Sequence, residues 1–241
     1  MSYYNNPWNS EVTPAPVARV SVQTVLQRVY LWMALGALVT AGVAFLTVTN
    51  PALNALARNP IVLFGAIIGE LVLVLVLSAA LRRLSPAAAA TMFFVYAGLN
   101  GFTLSIILAY FEVGSIVSAF VATGALFGAM TIVGFTTQLD LTRFGTYLMM
   151  GLIGLLIAMV VNVFLGSSGL DLLISIVGVL IFTALTAYDT QKIKHIAADP
   201  SIQADGSIAM KLSLIGALTL YLDFINLFLF LLRLMGGGSR D

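Results

Sequence analysis

Apolar residues run along this chain in seven stretches, each about the length of a membrane span, separated by short polar or proline-bearing joints. The first covers residues 29–49 and stops at Asn50 and Pro51; the second covers 61–81, follows Asn59 and Pro60, and ends at Arg82 and Arg83. The third starts after Ser85 and Pro86 and reaches Phe111, and the fourth covers 115–135. Past a joint at 136–143, a fifth span covers 144–165 and stops at the Gly-Ser-Ser-Gly run of 166–169; the sixth covers 172–189 and the seventh 209–235. The pattern predicts an all-α polytopic membrane protein with seven transmembrane helices. A polar, mobile arm is expected at 1–28, a membrane domain at 29–235 and a short polar tail at 236–241. Apolar residues surround every helix, so periodicity does not say which face meets lipid. Gly65/Gly69 and Gly124/Gly128 stand four apart, the spacing of close helix contacts in membranes.

Composition agrees with the pattern. Of the 241 residues, 60% are hydrophobic and 9% charged, with a mean hydropathy of +1.05, whereas about a quarter of a soluble globule is charged. The net charge of +1 gives no field that would gather nucleic acid. The chain has no cysteine, which excludes disulfides, thiolate metal sites and cysteine nucleophiles. Its one histidine, His195, lies in a polar joint without the clustered ligands of a catalytic zinc, and is assigned no role. The N-terminus lacks the basic, apolar and small-residue succession of a cleavable signal peptide, so the first span reads as an uncleaved anchor. Eight of the eleven Lys and Arg residues fall on one side of the seven spans, which places the N-terminus in the cytoplasm and the C-terminus outside. Short joints and no organelle address point to a bacterial inner membrane.

Three acids fall within or at the ends of spans. Asp223 is the one acid between Lys211 and Arg233, near the midplane of the seventh span, where insertion scales charge roughly 2.5 to 3.5 kcal/mol for such a residue. It is expected to face the bundle interior or a wet cavity, or to be hydrogen-bonded by a neighbour such as Asn226, one turn on. Asp189 ends the sixth span on the side that carries Arg82 and Arg83; the plain alternative is a wetted carboxylate balanced by Lys192 or Lys194. Glu70 lies near the centre of the second span, roughly 18 Å from Arg82. Either it lines a cavity with Asp223, or it is hydrogen-bonded to a side chain such as Asn100 or Asn162.

The run TAYDTQKIK around Asp189, followed by LSLIGALTLYLDFINLFLFLLRL around Asp223, resembles the paired C-terminal signatures of the Bax inhibitor-1 family. The similarity extends along all seven spans, including RVY near Arg28, GLNGFTLS around Gly101 and the GAMTIVGFTT joint. The resemblance implies a seven-helix fold in which the last span is central and surrounded by the other six, and a calcium leak pathway controlled by pH. By motif, Asp189 and Asp223 are the buried, pH-responsive pair, and an arginine at the end of the second span, Arg82 or Arg83, engages them in the closed form. The departure is at that arginine: a more basic cluster in relatives is here only Arg82-Arg83 followed by Leu84-Ser85.

Two carboxyls held close in a dry site cannot both ionise cheaply, so one proton is shared between them. Calcium prefers oxygen ligands and negative charge, so it should compete with protons at Asp189 and Asp223. Register argues the other way. Counted from the outer ends, Asp223 is about 15 Å from Arg233 and Asp189 about 27 Å from Asp171, a difference of about 12 Å in an untilted pair.

The expected function is a pH-sensitive, calcium-permeable leak channel without enzymatic activity or cofactor, in contact with lipid, calcium ions and protons, and with Glu70 as a candidate pathway acid. A non-conducting regulator that binds other membrane proteins is the alternative. An intramembrane aspartyl protease would use Tyr188-Asp189, but Leu220-Tyr221-Leu222-Asp223 stands where GxGD is needed and the PAL stretch is missing. A secondary transporter would show inverted repeats, of which TAYD and LYLD are only a faint echo.

Overall fold

The computed structural model of the chain describes residues 20–80 and 83–236. All regular structure in them is helical: α1 (Val22–Thr49), α2 (Pro51–Ala57), α3 (Pro60–Ala80), α4 (Pro86–Leu108), α5 (Val113–Thr136), a 3-10 turn (Leu141–Phe144), α6 (Gly145–Leu165), α7 (Ser168–Ala197), α8 (Pro200–Ala204) and α9 (Gly206–Gly236). Seven of these helices are long and apolar enough to cross a bilayer, in the order expected. The joints contain more than turns, since α2 and α8 are short helices within them.

Four helices, α2, α3, α4 and α8, start with the same device. A short polar side chain caps the new helix and proline takes its first position, where no backbone donor is needed. Asn50 Oδ1 accepts from Ala52 N at 2.9 Å ahead of α2, Asn59 Oδ1 from Ile61 N at 2.9 Å ahead of α3, and Ser85 Oγ from Ala88 N at 3.2 Å ahead of α4. Asp199 does the same for α8 through Ser201 N at 2.8 Å. α6 ends on Gly166, whose φ of 60° is the left-handed conformation that glycine adopts without strain.

Two helices outrun their sequence limits. α1 begins at Val22, seven residues inside the stretch expected to be an arm, because Ser21 caps it (3.1 Å to Thr24 N) and because Val25, Leu26 and Val29 are buried. α7 continues eight residues past Asp189, to Ala197. The arm's residues 1–19, Leu81, Arg82 and the tail's residues 237–241 lie outside the described residues.

α9 is central. Some 67% of its most apolar stretch is buried, against 6% for α3 and 6% for α6, and it packs on α1, α4, α5 and α7. The expected ring of six is therefore two-tiered. α3 packs chiefly against α4, and α6 against α7, so these two helices stand outside the inner layer. Close approach comes at glycines other than the two expected pairs. A Cβ on Gly101 would run into the backbone carbonyl of Thr40, and one on Gly134 into that of Ala187, so these residues let α4 approach α1 and α5 approach α7. Gly65, Gly124 and Gly128 have no such neighbour within 4 Å, and Gly69 meets only Leu99, at 3.6 Å.

Candidate functional site

Two stacked rings set the register of α7 on α9. Phe182 and Phe230 lie 5.8 Å apart between centroids, with 27° between their planes. Asp189 follows Phe182 by seven residues and Asp223 precedes Phe230 by seven, and the helices run antiparallel. Seven residues are about two turns, roughly 10.5 Å of rise, so both acids arrive at one level on facing sides. Their carboxyls are close enough to act on each other electrostatically. The depth mismatch counted from Asp171 and Arg233 does not keep them apart. Those two residues do pair, at 3.8 Å, but a long arginine reaches along the helix, so the ion pair does not mark equal depth as packed rings do.

Asp223 is 4% exposed and Asp189 9%. Because α7 continues beyond it, Asp189 is not a wetted carboxylate at a helix end; Lys192, one turn on, is near enough to act on it electrostatically. Two neighbouring carboxyls join by a hydrogen bond only when one of them carries a proton. Asp223 Oδ2 is buried without a hydrogen-bond partner among the described residues. Asn226, the neighbour that sequence offered to Asp223, donates instead to the carbonyl of Leu222 at 2.8 Å.

Both aspartates line a cavity of about 510 Å³ bounded by five helices. Glu70 of α3, Tyr96 of α4, Met149 of α6 and Asn226 of α9 share it. The two sequence readings of Glu70 hold together. It faces the cavity of Asp223, and it accepts hydrogen bonds from Thr103 Oγ1 at 2.7 Å and Asn100 Nδ2 at 3.4 Å. Asn162 is elsewhere, accepting from Ser167 N at 3.1 Å.

Glu70 is the outer end of a buried polar chain. Asn100 Oδ1 accepts from the Tyr221 hydroxyl at 2.9 Å, and that hydroxyl lies 2.7 Å from Thr40 Oγ1, which donates to the carbonyl of Ala97 at 2.9 Å. α3, α4, α9 and α1 are joined by this chain. Sequence reasoning missed Tyr221, Thr40 and Thr103. The available signal was Tyr221 itself, a residue with a polar tip two positions before the midplane acid and hence on another face of the same helix.

A second set of polar contacts fixes the far end of α7. Gln191 donates to the carbonyl of Leu139 at 2.8 Å and accepts from Leu141 N at 2.8 Å, and Lys194 Nζ donates to the carbonyl of Phe135 at 2.6 Å. These bonds fasten the joint between α5 and α6 to the helix that carries Asp189. Arg83 is exposed in the turn between α3 and α4, and Arg82 lies outside the described residues. His195 is exposed near the end of α7. Among the described residues no three His, Asp or Glu side chains come together in a way that would hold one metal ion. Asp189 and Asp223 alone offer fewer than the six to eight oxygens that calcium takes.

The family model described as "Inhibitor of apoptosis-promoting Bax1" matches residues 22–240. The inner membrane protein YbhL of Escherichia coli K12 is 45% identical over 219 residues, covering 90% of this chain and 93% of that one. An uncharacterized protein of Deinococcus radiodurans is 44% identical over 223 residues (91% and 92% of the two chains), and one of Rickettsia prowazekii 40% over 217 residues (89% of each). With nearly its whole membrane domain matched in sequence and seven membrane-length helices of which the last is the most buried, the chain belongs to the family of inhibitors of apoptosis-promoting Bax1, the Bax inhibitor-1 family.

Proposed function

We propose that this protein is a pH-sensitive, calcium-permeable leak channel of a bacterial inner membrane, with Asp189 and Asp223 as its proton-responsive element. The observation that carries the reading is the contact between these two carboxyls, buried on the two helices that pack most extensively and facing a cavity shared with Glu70. Losing the shared proton leaves two negative charges side by side, which repel each other and attract a divalent cation. The strain falls on the α7–α9 contact and on α6, whose joint is tied to α7 through Gln191. A pair of carboxylates short of a full coordination shell suits passage rather than storage, since a conducting site must also release its ion. Arg82 or Arg83 closes the pathway by engaging the pair, and the N-terminus is cytoplasmic in accord with the Lys and Arg bias. The inner-membrane location is supported by the name of the E. coli relative.

The test is calcium flux into vesicles that contain only the purified protein, scanned over pH, for the native chain and Asp223→Asn. A pH-dependent flux whose midpoint moves or disappears in the variant supports the reading. No flux at any pH from folded protein transfers the function to a non-conducting regulator of membrane-protein partners. Two aspartates sharing a proton are also the equipment of an aspartyl protease. That second reading requires cleavage of a membrane peptide by the purified protein, with turnover lost on changing either aspartate.

A further inference from the structure

The cavity at the aspartates is larger and more apolar than an inorganic ion requires. A water molecule takes up about 30 Å³ of liquid, whereas pockets for small organic ligands run from about 300 to 1,000 Å³. At about 510 Å³ this cavity falls in the second range, and Leu71, Val74, Leu152, Leu156, Phe182 and Leu222 make up much of its wall. Burial falls off in one direction across it. Asp223, Tyr96, Leu185 and Phe182 are between 4% and 6% exposed, while Leu71 of α3 and Met149 and Leu156 of α6 are 52% to 61% exposed. The deep end is therefore at α9, and the mouth lies between α3 and α6, the two helices outside the inner layer, on faces that meet the hydrocarbon of the bilayer.

Asp189 and Asp223 stand at the deep end and the partly buried Glu70 lines the α3 side; the Asp223 Oδ2 atom has no hydrogen-bond partner among the described residues, and none of the described Lys and Arg residues lines the cavity. An acid with an unmet oxygen, at the bottom of an apolar cleft that opens sideways to lipid, is complementary to a cation with an apolar body. A phospholipid with an ammonium head fits poorly, because its phosphate would meet the carboxyls of Glu70, Asp189 and Asp223.

We propose that the cleft between α3 and α6 binds a lipophilic ammonium ion from the membrane, a long-chain amine with its nitrogen at Asp223 and its chain along α6 and α7. The proposal rests on the reading of this cavity as a cation site. An occupied cleft fills the space between Glu70 and the aspartate pair, so such amines block calcium passage. The ammonium donates to Asp223 Oδ2, and the chain covers Phe182, Leu152 and Leu156.

The experiment is equilibrium binding of radiolabelled dodecylamine to the full chain in phosphatidylcholine nanodiscs, with empty nanodiscs as background and unlabelled dodecanoate as a competitor of equal chain length. Asp223→Asn removes the charge at the deep end, and Leu156→Trp fills the mouth without touching an acid; thermal melts of both check that they fold. The expected result is saturable binding that dodecanoate does not displace and that each variant weakens at least about tenfold. Binding no greater than in empty nanodiscs, displacement by dodecanoate, or affinity unchanged in either folded variant overturns the proposal. Calcium flux measured on the same preparations separates it from the channel reading. Flux without amine binding removes the ammonium site and keeps the leak, while amine binding without flux does the reverse.

Discussion

Gly178 of α7 lies directly against the ring of Phe230 on α9, so that a Cβ at position 178 would meet three ring atoms at 2.7 Å. The same ring stacks on Phe182 and receives the Arg233 guanidinium 5.9 Å from its centroid. It is pinned on several sides and has little room to yield. Gly178→Ala is therefore expected to push α9 along or away from α7 and to cost about 1–3 kcal/mol through overpacking. Thermal unfolding in detergent gives the cost. A matched control is Gly124→Ala, where a Cβ meets nothing within 4 Å; there the gain in helix propensity leaves stability unchanged or raises it by up to about 1 kcal/mol. Equal losses from the two substitutions would contradict the packing account.

The buried chain from Glu70 to Thr40 predicts an asymmetry between its members. Asn100 gives one side-chain atom to Glu70 and the other to Tyr221. Asn100→Leu leaves both partners short inside the bundle and is expected to cost about 1–3 kcal/mol, whereas Tyr221→Phe, which keeps the ring contacts with Phe93 and Tyr96, costs about 0.5–1.5 kcal/mol. Unfolding in a denaturing detergent ranks the two, and the reverse order would show that the Tyr221 hydroxyl, not the amide, organises the network.

Gln191 offers a test away from the acids. Gln191→Leu removes both bonds to the joint between α5 and α6 and leaves Leu139 O and Leu141 N to find other partners, an expected loss of roughly 1–3 kcal/mol. Amide exchange at Leu141 should quicken in this variant while exchange in the middle of α9 stays slow. Uniform quickening would mean that the clamp supports the whole bundle rather than its own corner.

One pH effect is worked out from groups in the water-facing joint. Asp199 accepts from Ser201 Oγ at 2.7 Å and Ser201 N at 2.8 Å, and these bonds hold its carboxyl below its usual value of 3.8. A depressed folded-state value means that the cap's contribution is complete above about 3.8 and is lost as pH falls through the lower, folded value. The difference in melting temperature between the native chain and Asp199→Ala should thus be constant from pH 7 to 5 and shrink in stronger acid. A difference that grows on acidification would reverse the sign.

Length, polarity and proline placement were enough to find seven spans in order, because an apolar run of bilayer length has few other structures open to it. Asp189 and Asp223 also stood out, being acids in or near such runs. The extra turns of α1 and α7 were hidden for a physical reason. Gln23, Thr24 and Gln27 make residues 22–28 look like arm, and Thr190, Gln191 and Lys192 make the end of α7 look like a joint, yet α1 buries its Val25 stripe and α7 uses Gln191 to hold another segment. Register was harder still. Counting from charged ends misjudged the depth of the two acids, since charged side chains reach, while rings such as Phe182 and Phe230 interlock only at one level. The glycine pairs misled because spacing alone does not distinguish a face that meets lipid from one that meets a helix, and the glycines that matter, Gly101, Gly134 and Gly178, find their partners on other helices.

The most buried helix is also the one that follows the other six in the chain. During synthesis α1, α4, α5 and α7 emerge with their inner faces shaped for a neighbour that does not yet exist, and Thr40 and Asn100 wait in the bilayer for the hydroxyl of Tyr221. A ribosome paused before α9 would leave six helices in the membrane, four of them around an unfilled axis, with Asp189 lacking its facing acid. Assembly of this bundle is thus closed by its last helix, as an arch is by its keystone, and the acid that sequence marks first is among the last to reach its place.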